Sequence, residues 1–135
     1  MLPFTSTEET KKTTTKDHYI NIGSGTNQSS DWTDVSGALT TADIGQYPDI
    51  KEVHFEAFIN VPTANGSVSV RLFNKTNSYL VSNSEIIRDG IVETYHFISP
   101  ALIYDVGPKL YQVQMKSQLN VLANLVSARI HIVTE

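Results

Sequence analysis

The stretch that decides the fold, residues 51–74, reads KEVHFEAFINVPTANGSVSVRLFN. Apolar and polar residues alternate in its first half, and the alternation returns after the segment 62–66. Because a strand directs successive side chains to opposite faces, each half predicts a strand with one buried face. The predicted inward residues are Val53, Phe55, Ala57, Ile59 and Val61 in the first strand and Val68, Val70 and Leu72 in the second. A five-residue connection with turn formers predicts that these two strands pair as an antiparallel hairpin, to which further strands are added.

Short apolar or alternating runs lie on both sides of this stretch. Strands are predicted at residues 18–22, 32–35, 79–81, 85–87, 92–99, 102–106, 110–116 and 127–133. A polar loop is predicted over 23–30, and a turn-rich segment over 40–48 contains one helical turn that ends at Gly45. Residues 119–125 fit either a helical turn or an irregular loop.

Within the last two long strands, one face is again apolar. The inward residues there are predicted to be Tyr111, Val113, Met115, Ala128, Ile130 and Ile132. About eight short strands with no long helix predict an all-β fold, an antiparallel β-sandwich of jelly-roll-like type. A parallel α/β fold is excluded because no segment provides a helical crossover.

The chain of 135 residues is predicted to divide into a flexible N-terminal arm, residues 1–17, and a single β-sandwich domain, residues 18–135. The arm is rich in threonine, and its only large apolar side chains are Leu2 and Phe4. Such a composition buries too little surface to offset the entropy of ordering. The arm is therefore either a frayed terminus or an assembly arm that orders on a neighbouring subunit, with Leu2 and Phe4 as its anchors.

Composition excludes several classes of function. The net charge of −4 and the scattered Lys and Arg residues argue against nucleic-acid binding. The absence of cysteine excludes disulfides, thiolate metal sites and a cysteine nucleophile. No signal peptide and no apolar run of membrane-spanning length is found, which predicts a complete cytoplasmic product without a membrane segment.

The sequence also contains no convincing catalytic motif. The four histidines, His18, His54, His96 and His131, never lie within four residues of each other, so no metal-binding spacing exists. His54 and His131 fall on the polar faces of strands and are expected to face solvent. Glu52 and Glu56 flank His54, but a glycosidase pair needs a cleft, which nothing in the pattern indicates, so these carboxylates are expected to be solvated. The segment 23–25, Gly-Ser-Gly, lacks the flanks of a nucleophile elbow or a phosphate loop. The chain is therefore predicted not to be an enzyme.

Two binding options stay open. Four aspartates lie in or near predicted turns, which leaves a structural Ca²⁺ as the one cofactor that the sequence allows: Asp43, Asp49, Asp89 and Asp105. Sugar sites use aromatic platforms beside polar groups, and the candidates for such ligand binding are Trp32, Tyr47, Tyr79 and Tyr104. The lone Trp32 is first expected in the core, closing one end of the sandwich, and the tyrosines are otherwise half-buried rings with hydroxyls in water.

Four segments occur in an order that resembles a known kind of module. They are residues 67–76 (SVSVRLFNKT), 81–86 (VSNSEI), 109–116 (KLYQVQMK) and 127–133 (SARIHIV). The succession is similar to β-sandwich modules of bacteriophage and other viral structural proteins and of some bacterial surface proteins. It covers roughly residues 52–133 and carries no catalytic residue; the region of Trp32 and the arm have no counterpart.

The resemblance implies a compact jelly-roll module that displays loops and forms homo-oligomers, with a trimer as the expected form. With the missing signal, cysteine and catalytic site, it favours a non-enzymatic virion protein assembled in the host cytoplasm: a capsid decoration, head-fibre or tail subunit that contacts other virion proteins. The alternative is a carbohydrate-binding module that recognises a glycan through the aromatic residues above. The two overlap, since a virion protein can bind a host-surface glycan.

Overall fold

A computed structural model describes residues 14–135 of the chain, which form an antiparallel β-sandwich. The nine strands are β1 (Lys16–Asn27), β2 (Thr33–Ala42), β3 (Ile50–Asn60), β4 (Ser67–Asn74), β5 (Tyr79–Leu80), β6 (Ile86–Asp89), β7 (Tyr95–Ile98), β8 (Lys109–Ser117) and β9 (Ala123–Thr134). Short 3₁₀ turns occur at Ile44–Gln46 and Gln118–Asn120. The predicted all-β, jelly-roll-like sandwich is confirmed.

The strands form two sheets that pack face to face. Sheet A contains β7, β3, β9 and β1 in that order, and sheet B contains β2, β8 and β4, with β5 and β6 both paired to β4. The apolar faces of the two sheets form one core. The predicted inward residues of the central strands and of the last two long strands are all buried, from Val53 in β3 to Ile132 in β9.

The predicted hairpin between the two central strands is wrong. β3 pairs with β9 and β7 in sheet A, whereas β4 pairs with β8, β6 and β5 in sheet B. Each strand has one fully apolar face, and both faces are buried when the strands lie opposite each other across the core. The connection therefore crosses between the sheets, and positive φ angles at Ala64 (60°) and Gly66 (72°) bend it.

Strand β1 is longer than predicted at both ends. It begins at Lys16, within the predicted arm, and it continues through Asn27 into the predicted polar loop. Its partner β9 pairs with it over this whole length, from Lys16 opposite Thr134 to Asn27 opposite Ala123, with register shifts on both sides of Gly23. A nonlocal ladder thus makes a strand of a segment whose own residues favour a loop. The arm residues Leu2 and Phe4 lie outside the described residues.

Three smaller predictions also need correction. Strand β2 runs through Ala42 into the segment predicted to be turns, because β8 pairs with it as far as Lys109. The predicted strand 102–106 is reduced to a single bridge between Ser82 and Ile103. The helical turn comes later than predicted, at Ile44–Gln46, and it is not closed by a glycine.

The two sheets are joined at one close contact between backbones. Gly23 of β1 lies opposite Ala38 of β2, so β2 touches sheet A while it pairs with β8 in sheet B. Gly23 has a φ of 140°, and a Cβ there would come within 2.0 Å of the Gly37 carbonyl oxygen. Only glycine fits this position, because both the conformation and the space exclude a side chain.

A bulge in β2 makes this contact possible. The register with β8 shifts between Asp34 and Leu39, which turns the intervening residues towards β1. Two carbonyls released by the bulge, those of Val35 and Ala38, accept hydrogen bonds from the buried Gln112 side-chain amide at 2.7 and 3.0 Å. A buried glutamine in β8 thus satisfies the backbone at the corner of the sandwich.

We expect Gly23→Ala to lower the free energy of unfolding by about 3 kcal/mol, since it combines a left-handed conformation with a backbone clash. The matched control is Gly107→Ala, where φ is 95° but no atom lies within 4 Å of the added Cβ. That variant should lose only about 1 kcal/mol, from conformation alone. Urea unfolding of the wild type and the two variants measures both losses of unfolding free energy. Equal losses in Gly23→Ala and Gly107→Ala would show that the backbone contact of Gly23 with β2 is not tight.

Candidate functional site

The outer face of sheet A carries a buried carboxylate. Glu56 is 2% exposed, and its Oε1 accepts hydrogen bonds from Arg129 Nε at 2.9 Å and His96 Nε2 at 2.9 Å. Its Oε2 accepts one from His131 Nδ1 at 2.7 Å. The prediction of a solvated surface glutamate is wrong, because β3 lies between β9 and β7, whose side chains cover Glu56 on both sides.

Aromatic rings enclose the cation of this cluster. The Arg129 guanidinium carbon lies 4.1 Å from the centroid of the Tyr19 ring and 5.4 Å from that of Phe58. The His131 ring stacks on Tyr19 at 4.6 Å, and the His96 ring stacks on Phe58 at 4.1 Å. The cation–π contacts and the ion pairs together hold a rigid polar layer over sheet A.

Two histidines of this layer face acceptors with both ring nitrogens. His131 contacts Glu56 through Nδ1 and Asp17 Oδ1 through Nε2 at 2.8 Å. His54 contacts the Ser99 carbonyl through Nδ1 at 2.8 Å and the Glu52 carboxylate through Nε2. A neutral imidazole has only one N–H, so His54 donates to both of its acceptors only as the imidazolium. The expectation of freely solvated imidazoles is wrong, since each side chain is 16% exposed.

The charge states of the layer follow from its contacts. Burial alone would raise the pKa of Glu56, but hydrogen bonds from His96, Arg129 and His131 and the charge of Arg129 hold that pKa below its usual range. Burial would lower the pKa of His54, but Glu52 and the Ser99 carbonyl raise it above its usual range. Glu56 therefore stays ionised with both oxygens occupied. The cluster acts as a structural clamp between β9, β3 and β7.

The three predicted ligand tyrosines are separate from this layer. The Tyr79 hydroxyl donates a hydrogen bond to Asp105 Oδ2, while Tyr47 and Tyr104 pack partly buried against the core. Nearby, the Tyr111 hydroxyl is buried without a partner among the described residues. Burial, and then the charges of Asp105 and Asp43, raise the pKa of Tyr111 to about 12. Whether Tyr47, Tyr79 and Tyr104 bind a ligand stays a prediction.

Trp32 is not the core residue that the sequence predicts. Trp32 directly precedes β2, whose first residue, Thr33, pairs with Met115. The Met115 side chain is buried in the core. Trp32 lies instead next to Lys116, on the outer face of sheet B. The Trp32 ring centroid is 4.1 Å from the Arg71 guanidinium carbon and 5.0 Å from Lys116 Nζ. The ring is partly exposed. A tryptophan over two cations is a surface feature that no local sequence pattern indicated.

A pocket of about 340 Å³ opens beside this tryptophan. Lys116 lines it together with four serines, Gln118 and two apolar side chains, Ile87 and Leu119. The volume falls in the lower part of the range of roughly 300 to 1,000 Å³ found for small-molecule sites. We call Trp32, Arg71, Lys116 and this cavity the serine pocket. The sequence did not indicate it, because its walls come from β4, β6 and β8 and from the segments at Ser30 and 118–119.

Two features are absent from residues 14–135, a metal-binding cluster and a helix that could span a membrane. No group of three or more His, Asp or Glu side chains is arranged to hold a metal ion. No helix in this part of the chain has the length and apolar character needed to cross a membrane.

No protein-family model matches the sequence, and no curated protein is similar to it in sequence. Among solved structures, the chain is similar to the CBM36-1 domain of a multidomain xylanase from the hindgut metagenome of Trinervitermes trinervoides, with a TM-score of 0.52, 7% identity and coverage of 87% of this chain and 96% of that one. At this identity the likeness concerns the fold alone.

Two other likenesses have TM-scores below 0.5 and carry no argument. One is to the infectious bursal disease virus VP2 subviral particle (TM-score 0.45, 8% identity, 90% of this chain and 33% of that one). The other is to a pilus subunit of Bacillus endospore appendages (TM-score 0.44, 11% identity, 91% and 89%). The chain is a jelly-roll-like β-sandwich module.

We expect Glu56→Gln to lower the free energy of unfolding by about 2 kcal/mol, because it leaves Arg129 and two histidines without their shared anion; the loss is moderated by the partial exposure of Arg129. Glu93→Gln, on an exposed residue between β6 and β7, is the matched control and should change little. Thermal and urea unfolding measure the difference. Equal stability of the two variants would contradict the clamp.

The free energy of unfolding should be greatest between about pH 4.5 and pH 6.5, which are the ordinary pKa values of Glu and His. The lowered pKa of Glu56 gives stabilisation that is present above 4.5 and lost as pH falls through the folded-state pKa. The raised pKa of His54 gives stabilisation that is present below 6.5 and lost as pH rises through its folded-state pKa. Urea unfolding across this range should show the alkaline decline weakened in His54→Gln; an unchanged decline would assign it to other groups.

Proposed function

We propose that this chain is a non-enzymatic structural subunit that assembles through strand-edge pairing into a virion, as a capsid decoration, head-fibre or tail protein. The observation that carries the proposal is an open, apolar edge of the sandwich. The first partner of this edge is another copy of the chain, and other virion proteins follow.

The open edge is formed by one end strand from each sheet. Among the described strands, β7 ends sheet A and pairs only with β3, and β6 pairs only with β4 in sheet B. The two strands lie close together, because the Arg88 guanidinium carbon of β6 is 4.7 Å from the Phe97 ring centroid and 5.3 Å from that of Tyr95, both in β7. We call these two strands and the segment between them the β6/β7 edge.

Four large apolar side chains are exposed along this edge: Ile87 is 59% exposed, Val92 is 53%, Tyr95 is 40% and Ile98 is 54%. They alternate with the exposed charged residues Arg88, Asp89 and Glu93. Unpaired backbone groups beside exposed apolar residues are a template for a further strand. Pairing with another chain would satisfy the backbone and bury these side chains together.

The rest of the surface supports a role without catalysis. The most buried carboxylate, Glu56, already accepts hydrogen bonds at both oxygens and stays ionised. A closed trimer, the expected oligomer, requires β7 of one copy to meet β6 of the next, since a ring needs a head-to-tail contact. A contact of β7 with β7 would instead give a twofold dimer.

Ile98→Lys should convert an oligomer to a monomer, because an exposed charge on an edge strand opposes pairing. Val126→Lys is the matched control: Val126 is 51% exposed on β9, within sheet A and away from the edge, so this variant should keep the wild-type mass. Light scattering on both variants and the wild type measures the mass over a range of concentrations.

A wild-type chain that stays monomeric at its highest soluble concentration, or an I98K variant that keeps the oligomer mass, would contradict edge assembly. The same measurement on a chain that begins at Thr14 tests the predicted arm. If Leu2 and Phe4 anchor the arm to a neighbouring subunit, the oligomer of the shortened chain should dissociate at a higher protein concentration than the oligomer of the full chain.

A further inference from the structure

We propose that the serine pocket on sheet B binds an acidic saccharide, one that carries a carboxylate or a sulfate group. The site lies mainly on β4 and β8, next to Trp32, and is formed within a single chain. It shares only Ile87 with the β6/β7 edge, so its binding can be measured separately from assembly.

The first argument is the pair of cations beneath Trp32. Arg71 donates from Nε to Gln114 Oε1 at 2.8 Å, and neither Arg71 nor Lys116 forms an ion pair with any residue from 14 to 135. Asp34 on the same face is bound by Lys75 at 2.6 Å. Two cations without a carboxylate partner, in a chain whose net charge is −4, favour an anionic ligand.

The second argument is the lining of the cavity. Ser67 and Ser69 follow each other on the outer face of β4, and Lys116 lies directly opposite Ser69 on β8. Ser30 and Ser117 also line the cavity, although the buried Ser117 hydroxyl already donates to the Val121 carbonyl at 2.7 Å. Hydroxyl and ammonium groups that converge on a small cavity suit a ligand with many hydroxyls of its own.

The third argument is the apolar rim. Leu119 is 75% exposed with a positive φ of 60°, and the following Asn120 also has a positive φ, of 55°. A left-handed conformation is costly for leucine, so the turn holds this side chain at the mouth of the pocket against a local penalty. With Ile87 and the partly exposed Trp32 ring, it offers apolar surface to the C–H face of a sugar.

A saccharide fits these features better than other anions. A nucleic acid would need a longer basic stripe than two cations provide. A simple inorganic anion would not use the tryptophan and leucine surfaces. An acidic sugar uses all three parts of the site, since its anionic group meets Arg71 and Lys116 while its ring contacts the apolar rim and its hydroxyls meet the serines.

The test uses the fluorescence of Trp32, the only tryptophan in the sequence. The full chain is titrated with a galacturonic acid trisaccharide, a sulfated dextran oligosaccharide, neutral dextran oligosaccharide and polyglutamate. We expect a saturable change with one or both acidic sugars and none with neutral dextran or polyglutamate. The tighter of the two acidic sugars then identifies the anionic group as carboxylate or sulfate.

Two lysine variants provide the matched comparison. Lys116→Ala should weaken binding by at least about tenfold, the loss of one charge-assisted contact. Lys51→Ala removes an exposed lysine from β3 in the opposite sheet and should bind as the wild type does. Unfolding curves confirm that both variants fold.

Four outcomes would overturn the proposal. Equal binding of polyglutamate would reduce it to general charge attraction, and equal binding of neutral dextran would remove the role of the cations. No fluorescence change with any acidic sugar, or an equal effect of both lysine variants, would place binding elsewhere. The ligand titrations are measured independently of the oligomer mass, so a negative result in them does not count against edge assembly.

Discussion

The backbone contact between Gly23 and Ala38 is the constraint on which the two-sheet arrangement depends. It is the only register pair that joins β1 to β2 among the described strands, and therefore the only ladder contact between sheet A and sheet B. The bulge in β2 and the buried amide of Gln112 both serve it, since one brings Ala38 to β1 and the other satisfies the carbonyls that the bulge releases. Once the corner is closed, the apolar faces of β3 and β4 lie opposite each other.

The outer faces of the two sheets then differ in kind. On sheet A, a carboxylate, an arginine and several histidines satisfy one another, and the aromatic rings of Tyr19 and Phe58 cover the cation. On sheet B, Arg71 and Lys116 lie under a tryptophan beside an open cavity. The first arrangement stiffens the module, whereas the second leaves charge and hydroxyl groups available to a ligand. An internally satisfied face and an unsatisfied one on the same small domain suit a subunit that is rigid in an assembly and displays a binding surface.

The sequence correctly predicted which face of each long strand is buried, but it did not predict which strands pair with each other. Alternation is a property of each strand alone, so Phe55 and Val113 were correctly predicted to point inward. Strand pairing is decided by the burial of whole apolar faces, which is why β3 and β4 separate into different sheets. The polar end of β1 becomes a strand only because β9 lies next to it. The burial of Glu56 and the position of Trp32 depend on the same nonlocal pairings, so the candidate sites were predicted less well than the fold.

The register of β1 with β9 also determines how the module responds to mechanical load. Lys16 lies opposite Thr134, so the two ends of the sandwich leave it side by side at one corner. A force that pulls these two ends apart acts first on the terminal residue pair of the β1–β9 ladder, so the hydrogen bonds break one after another. A force applied between one end and the opposite side of the sandwich would instead shear many bonds together. A module of this topology therefore resists unfolding best when it is held at one end and loaded through its body.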